Sequence, residues 1–574
     1  MSSFLSIWAL LSKQNKFYFI TLIFLIIIQA FFEILSIAMV IPFVTLLLDP
    51  NSMSNIPFLN FLNPINYSIS KQEIIIYMSI LFLMAFIFKN ITVVIINKFL
   101  FDYVYNFRKD LTTRVLEKYL HQNYIFFVKN SYSIIAANLS KEVENLSGVY
   151  FRPILIILSE LIILISILIL IVFSGYIEGF LIILPFVLLT ALIFKSLNKK
   201  VKSWSNARVI NTKNLTKLTY EIILGIREIL LIGKVSEILE KYKLFQKESS
   251  NIESKVELVQ TLPRLTIELF AIFLFLLTFI YLSFQNIDNK EIFVILSFYI
   301  AIAYRVTPSL NKIFVHYQQL KVGKPSVNII LNDLNLKDEL YFFNNNKEKI
   351  NFEKKIEFKN IEFQFQDRKK LFKNNNFTIL KNEIIGIYGE SGSGKTTLLN
   401  ILSLLIKPKN FEINVDDKKI ETLQDFRRYQ NLISFVSQDT FLLEDTIKNN
   451  IFFGSDNIND NKKLNEALKF SNLNEFIEEL PDKLNTVIGL NSKKISSGQR
   501  QRIALARLYY SSRDILIFDE ATNALDEKNE QLIINNIYNL KKSKTIILVS
   551  HNKKNLSNCD KLFSVKNGII SLEK

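Results

Sequence analysis

The sequence predicts a helical membrane half followed by an α/β half built around a phosphate-binding loop, and three observations carry that prediction. The chain is 49% hydrophobic with 49 Phe, and its mean hydropathy of +0.23 is too high for a water-soluble enzyme. Six apolar stretches long enough to cross a bilayer lie at 17–48, 72–99, 151–174, 177–195, 265–284 and 291–315, and none follows residue 325. Beyond that point an apolar strand enters the glycine-rich run GESGSGKT at residues 389–396, and a helical run leaves it.

The first stretch is too long for a cleavable signal peptide and is expected to stay as a span. The connection 49–71 holds one basic residue, Lys71, whereas 101–141 contains Arg108, Lys109, Arg114, Lys118, Lys129 and Lys141, and 195–264 is richer still. Cytoplasmic loops carry the basic excess, so the termini and the long loops are expected inside. The formal charge of +16 comes from these loops and the soluble half, which speaks against a nucleic-acid partner. Each long inner connection reads as a descending and an ascending helix of about 25 residues, a stalk reaching about 38 Å beyond the membrane. The outer stretch 54–68 sets Ile56, Phe58, Leu59, Phe61, Leu62 and Ile65 among asparagines; it reads equally as a short interfacial helix touching a lipid tail or as an ordinary loop. The one cysteine, Cys559, excludes an intrachain disulfide and reads as a small buried hydrophobe.

Charges inside or beside the spans bear on cargo: Glu33, Lys89, Arg152, Glu160, Glu178, Arg264, Glu268 and Arg305. Arg305 lies twelve residues past Phe293, about 18 Å along a helix and near the middle of a hydrocarbon layer of about 30 Å. A guanidinium there costs about 3 kcal/mol in lipid, so it is expected to face a cavity or a partner. Arg152, Glu160 and Glu178 are placed near span ends, where they reach the interface. Lys89, Arg264 and Arg305 lie on three separate spans and are expected to converge on one anion. The competing expectation is internal pairing with Glu33 or Glu268.

Residues 1–325 are thus read as the membrane domain, 326–352 as a linker entered at Pro325, and 353–574 as the soluble domain. In the loop Gly389–Thr396, glycines let backbone amides curl around phosphate, Lys395 reaches the β- and γ-phosphates, and Thr396 offers a hydroxyl to Mg2+. The run DILIFDEATNALD is a strand ending in Asp519 and Glu520: one carboxylate suits Mg2+, and the next orients a water toward the γ-phosphate.

Between these two motifs, residues 493–508 read KKISSGQRQRIALARL, and here the chain resembles the ATP-binding cassette (ABC) family. Ile495, Ser496, Ser497, Gly498 and Gln499 are similar to its L-S-G-G-Q motif. The resemblance implies ATP and Mg2+ as cofactors, with Phe365 stacking on adenine and Gly389, Ser391, Gly392, Gly394, Lys395, Thr396 and Thr397 around the phosphates. It also implies Gln438, Thr396 and Asp519 at the metal, and Glu520, His551 and Gln438 as catalytic residues. Asp526 belongs to the family's turn after the second motif. Ser496, Gly498 and Gln499 are implied to complete the site of an opposite cassette, so a second copy of the chain is the expected partner. Six spans, long inner stalks and this cassette resemble a half-transporter exporter of the type IV fold, an ATPase coupled to transport in the bacterial inner membrane, with the cassette in the cytoplasm.

More loosely, FFEILSIAMVIPFVTLL (31–47), LPRLTIELFAI (262–272) and AYRVTPSLNKI (303–313) resemble bacterial flippases of lipid-linked oligosaccharides. That likeness implies a polyprenyl pyrophosphate glycan as cargo, its head held by Lys89, Arg264 and Arg305 among membrane lipids. Exporters of a peptide, a bacteriocin or another lipid, and an ATP-dependent regulator, share the architecture.

Departures are visible as well. Leu490 stands where such exporters carry a glutamate, Phe365 replaces a tyrosine, and Ser497 replaces the first motif glycine, adding a side chain where nucleotide must approach closely. Ser497→Gly is therefore expected to raise the ATPase rate of the purified protein without changing which compounds stimulate it. An unchanged or lower rate would mean that the loop has adapted to serine.

Overall fold

The structure, a computed structural model, describes the chain outside residues 1–7, 9, 49–70, 175–179, 285–287, 340–347, 366–369, 409–410, 456–459 and 489–494. The 54–68 stretch and Leu490 thus lie outside the described residues. Two units result, Met1–Tyr119 with Asn130–Leu336, and Leu120–Lys129 with Lys337–Lys574.

The first unit is helical: α1 (Lys13–Ala38), α2 (Val40–Leu48), α3 (Lys71–Leu120), α5 (Tyr132–Ser174), α6 (Phe180–Leu224), α7 (Ile226–Ile232), α8 (Val235–Ser283) and α9 (Asn289–Leu334), with α4 (Tyr124–Lys129) belonging to the second unit. Among the described residues, five helical segments are long and apolar enough to cross a membrane: Lys13–Leu48, Gln72–Leu120, Tyr132–Ser174, Val235–Ser283 and Asn289–Leu334. The sixth predicted span, 177–195, begins outside the described residues and runs into α6. Spans and stalks are single helices; α3 has 50 residues, about 75 Å at 1.5 Å per residue.

In α1, Phe19, Leu22, Ile26, Ala30, Glu33 and Ile37 recur every three or four residues on a buried face, while Phe17, Ile20, Phe24, Ile27 and Phe31 form an equally apolar exposed stripe. Apolar residues on both faces suit a helix with protein on one side and lipid on the other. Ser12 caps its start by accepting from the Asn15 N–H at 3.2 Å. The buried faces of α1, α5 and α9 share one core, including Ala30, Ile37, Ile163, Ile167, Phe298, Ile302 and Val306.

Two features of α9 go beyond the sequence reading. Pro308 and Pro325 both lie inside it and it continues to Leu334, so the expected break at Pro325 is absent; a long helix packed on its neighbours tolerates the lost backbone hydrogen bonds. The helix α5 widens into π turns at Asn138–Glu142 and Asn145–Phe151. Gly323 of α9 meets the second of these turns so closely that an added Cβ would stand 2.9 Å from Tyr150 Cβ.

In the second unit an antiparallel sheet in the order β2-β1-β4-β5 holds β1 (Lys355–Gln364), β2 (Lys370–Leu380), β4 (Glu412–Val415) and β5 (Lys418–Lys419). The other sheet, in the order β10-β9-β3-β8-β7-β6, holds β3 (Ile384–Tyr388), β6 (Ile433–Val436), β7 (Ile515–Asp519), β8 (Thr545–Val549), β9 (Lys561–Lys566) and β10 (Ile569–Leu572), all parallel except β10. Every residue of β3, β7 and β8 is buried, which is why these strands read as unbroken apolar runs. Residues 120–129 join this unit through Gln122 Nε2 donating to the Lys337 carbonyl at 2.9 Å and the Glu339 N–H donating to the His121 carbonyl at 2.9 Å. Ile125 packs on the core of the sheets.

Gly323→Ala is expected to overpack the crossing of α9 with the π turn and lower stability by about 1–3 kcal/mol. Thermal unfolding of the purified full-length protein measures it; an unchanged midpoint would mean that the crossing relaxes freely.

Candidate functional site

The loops leaving β3, β7 and β8 meet at the carboxyl ends of the strands, where an open parallel sheet presents its crevice. Helix α10 (Lys395–Leu402) starts directly after Gly394, whose φ of +105° is strained for any residue with a side chain. At Gly389 a Cβ would stand 2.6 Å from the Val565 carbonyl and 2.8 Å from Ser393 Oγ. The loop is therefore a cradle of backbone with no room for side chains at these two points. Ser391 and Gly392 are exposed on it, and Thr397 is half-buried. The buried Lys395 ammonium donates to the Gly389 carbonyl at 3.0 Å and the Glu390 carbonyl at 3.1 Å.

Asp519 ends β7, buried, and accepts a hydrogen bond from the Thr396 hydroxyl; burial pushes its carboxyl above the ordinary value, against the pull of that bond. Glu520 follows, buried, at a φ of +52°, a left-handed backbone held by the Glu520 N–H donating to the Val549 carbonyl at 3.2 Å. Its Oε1 lies 2.6 Å from His551 Nε2 and 3.9 Å from Lys395 Nζ, and its Oε2 accepts from Asn523 Nδ2 at 2.9 Å. Lys395, Thr396, Asp519, Glu520 and His551 are thus brought together.

Other predicted residues lie apart from that group. Phe365 packs edge-on against Phe363, ring centroids 4.8 Å apart. Gln438 is exposed after β6 and borders a cleft of about 390 Å³ with Ser497, Gln501, Asn523 and Ala524. Helix α11 (Ser497–Ser511) begins in a capping box: the Gln499 N–H donates to Ser496 Oγ at 3.1 Å and the Ser496 N–H to Gln499 Oε1 at 2.8 Å. Gly498 faces the next loop so tightly that a Cβ would stand 3.0 Å from the Ala524 carbonyl. Asp526 caps α12 (Glu527–Asn539) by accepting from the Asn529 N–H at 3.2 Å. Among the described residues no hydrogen bond or ion pair joins residues 496–499 to the Lys395 loop; α11 packs into the cores around Leu505 and Tyr510, the loop over the core around Phe372 and Leu398.

In the membrane unit, Arg305 is buried between two carboxylates: its Nε donates to Glu33 Oε1 at 2.9 Å and its Nη1 to Glu160 Oε2 at 3.1 Å. Ser309 accepts from the same Nη1 and donates to Glu160 Oε2 at 2.7 Å. Lys89 pairs with the second oxygen of Glu33 at 3.2 Å and Lys312 with that of Glu160 at 2.7 Å. Arg264 is not in this group; it pairs with Glu268 one turn along α8 at 2.8 Å, its side chain 68% exposed. The structure thus brings two of the three expected cations together and corrects the expectation that Arg264 joins them. It also corrects Glu160, which falls on the buried stripe shared with Ile163, Ile167 and Ile171 instead of at the interface.

A family model for the ABC transporter transmembrane region matches residues 17–305, and a second model, described as ABC transporter, matches residues 372–523. The chain belongs to the ABC transporter family. This ABC transporter is 29% identical to the ATP-dependent lipid A-core flippase of Francisella tularensis subsp. holarctica (strain OSU18) over 481 residues, 81% of this chain and 76% of that one. Its likeness to the ATP-dependent lipid A-core flippase of Bordetella avium is 34% over 217 residues, 38% of this chain and 36% of that one. Its fold matches the solved structure of a bacterial Atm1-family ABC exporter with ATP bound, with a TM-score of 0.79 at 16% identity, over 96% of this chain and 95% of that chain. The family read from the loop at 389–396 and the run at 493–508 is thereby shown, and with it an ATPase coupled to transmembrane transport and a multi-pass membrane protein of exporter fold.

Sequence reasoning missed four residues of this ABC transporter. Ser309 and Lys312 follow Arg305 at one and two helical turns, and that spacing was the available signal. Arg507 donates to the carbonyls of Asn450 at 2.8 Å and Phe441 at 2.9 Å, pinning the segment after Gln438; burial pushes its guanidinium down to about 10. Asn523, which touches Glu520, lies in the run DILIFDEATNALD three residues after the glutamate, and that closeness was the available signal. If the membrane cluster is held by charge pairing, Arg305→Ala takes the shared partner from two buried carboxylates, leaving each with one lysine, and is expected to lower stability by about 1.5–3 kcal/mol. Glu160→Gln in the same chain is expected to recover part of it, measured as folded yield and thermal midpoint. Equal stability of Arg305→Ala and the parent would contradict the pairing.

Proposed function

We propose that this chain is one half of a symmetric homodimer that uses ATP to flip a lipid-linked oligosaccharide, carried on a polyprenyl pyrophosphate, across the bacterial inner membrane. One observation carries the reading: three cations, Lys89, Arg305 and Lys312, face two carboxylates, Glu33 and Glu160, inside the membrane unit. The cluster therefore keeps an excess positive charge where water is scarce, and an anionic lipid head satisfies it. The relatives named lipid A-core flippases support a lipid as cargo. Lys89 is the residue best placed to engage such a head, since it is only partly buried and lies 5.2 Å over the Phe86 ring. Arg264, exposed on α8, would be a second contact on the way in.

The dimer is supported by the cassette. Among the described residues, Ser496, Gly498 and Gln499 make no hydrogen bond or ion pair to the Lys395 loop of their own chain, so a second copy supplies the motif that covers nucleotide. The exposed apolar side chains of Leu230, Leu231 and Ile232 on α7 are a further surface for a second copy to cover.

The nucleotide site fits Mg2+ and ATP. Gly389 and Gly394 leave a side-chain-free cradle, Ser393 Oγ is buried with no hydrogen-bond partner among the described residues, and the Asp519 carboxyl is a buried group whose charge a cation would stabilise. Thr396 and Asp519, with Gln438, would hold Mg2+, which neutralises phosphate charge when bound. Lys395 leaves the Gly389 and Glu390 carbonyls for phosphate oxygens, Glu520 orients the attacking water and His551, beside Glu520, reaches the γ-phosphate.

Lys89→Gln tests the cargo, because Glu33 keeps Arg305 as partner and folding is spared. In reconstituted vesicles the variant is expected to lose transfer of polyprenyl pyrophosphate oligosaccharide about ten-fold while retaining basal ATPase activity. Stimulation of the parent ATPase by a panel of lipid pyrophosphates, other glycolipids and peptides tests the class. Full transfer by Lys89→Gln, or stimulation by peptides alone, would sink the proposal.

A further inference from the structure

We propose that Asn523 is a positioning residue for ATP hydrolysis, orienting the Glu520 carboxylate from a loop that is also anchored on α11. The inference rests on the reading of Glu520 as the group that orients water. Glu520 has two oxygens and three neighbours. Among the described residues, His551 Nε2 and Lys395 Nζ both approach Oε1, at 2.6 and 3.9 Å, and only Asn523 Nδ2 holds Oε2, at 2.9 Å. His551 and Lys395 are both groups that a phosphate recruits, so neither fixes the carboxylate plane once nucleotide is bound. The amide of Asn523 is uncharged, has no phosphate to follow and can keep its bond to Oε2 throughout.

The backbone makes this contact specific. Glu520 sits at a φ of +52°, and the Asn523 N–H closes the turn onto the Glu520 carbonyl at 3.2 Å, so the side chain at 523 is folded back over residue 520. The next residue is anchored separately: the Ala524 N–H donates to Gln501 Oε1 at 3.1 Å, and the Ala524 carbonyl faces Gly498. A line of contacts thus runs from α11 through Gln501 and Ala524 to Asn523 and Glu520, so one short loop ties α11 to the carboxylate. A shift of α11 when its motif meets nucleotide on a second copy would be felt at Oε2 through this loop. Asn523 itself is exposed and packs into no core, so replacing it leaves folding intact.

Asn523→Asp keeps the shape and removes the donor, Asn523→Leu removes the polarity, and Asn523→Gln keeps the amide. In the full-length purified transporter, Asn523→Asp and Asn523→Leu are expected to lower kcat for ATP about ten-fold, the size of one oriented charge-assisted hydrogen bond, with KM for ATP within about two-fold of the parent. Asn523→Gln is expected to recover most of the rate. In a Glu520→Asp background, where the shortened carboxylate no longer reaches the amide, Asn523→Leu should add little further loss. A merely structural role predicts a lower thermal midpoint, a raised KM and losses that multiply in the double variant. Unchanged or raised kcat in Asn523→Leu would overturn the proposal. Glu520→Gln is run beside them: if it hydrolyses ATP at the parent rate, the reading of Glu520 fails; if it is inactive while Asn523→Leu is not, only the role of Asn523 fails.

Discussion

A guanidinium held inside an apolar helical unit must be neutralised, and the membrane half of this ABC transporter is arranged around that constraint. Arg305 draws Glu33 from α1 and Glu160 from α5 to within hydrogen-bond distance, and those carboxylates draw Lys89 from α3 and Lys312 from α9 in turn. Four helices are tied by one network whose charges would each be costly in lipid if left without any partner. The core shared by α1, α5 and α9 is aliphatic and aromatic, which orders the helices without telling them apart; the ion pairs supply the register.

The cassette solves a related problem with backbone instead of side chains. Glycines at 389 and 394 clear a space at the end of β3, Asp519 and Glu520 close it from β7, and His551 from β8. Because the three strands are neighbours in one parallel sheet, their carboxyl ends fall together although more than a hundred residues separate β3 from β7 and β8 in the chain. Charge is concentrated there as in the membrane cluster, with the difference that Lys395 rests on carbonyl oxygens that phosphate can replace. Both sites hold their cations on oxygens supplied by the protein, carboxylates in the membrane unit and backbone carbonyls in the cassette.

The sequence determined the two-part architecture, the phosphate loop, the acidic strand end and the depth of Arg305, because each is a local pattern: a run of apolar residues long enough for a bilayer, glycines at fixed offsets, a charge counted along a helix. It also made the family legible from GESGSGKT and the run at 493–508. Only the tertiary structure decided which charges meet. Arg264 and Arg305 look alike along the chain, yet one pairs with Glu268 on its own helix and the other with Glu33 and Glu160 on two others, since pairing depends on helix rotation and neighbours, which a single segment does not encode. Likewise Glu160 sits in an apolar run whose buried face is defined only once α5 packs on α9, and Asn523 reaches Glu520 only because a left-handed turn folds the loop back. Long-range contacts such as these are set by the way elements pack, and no local pattern of residues carries that information.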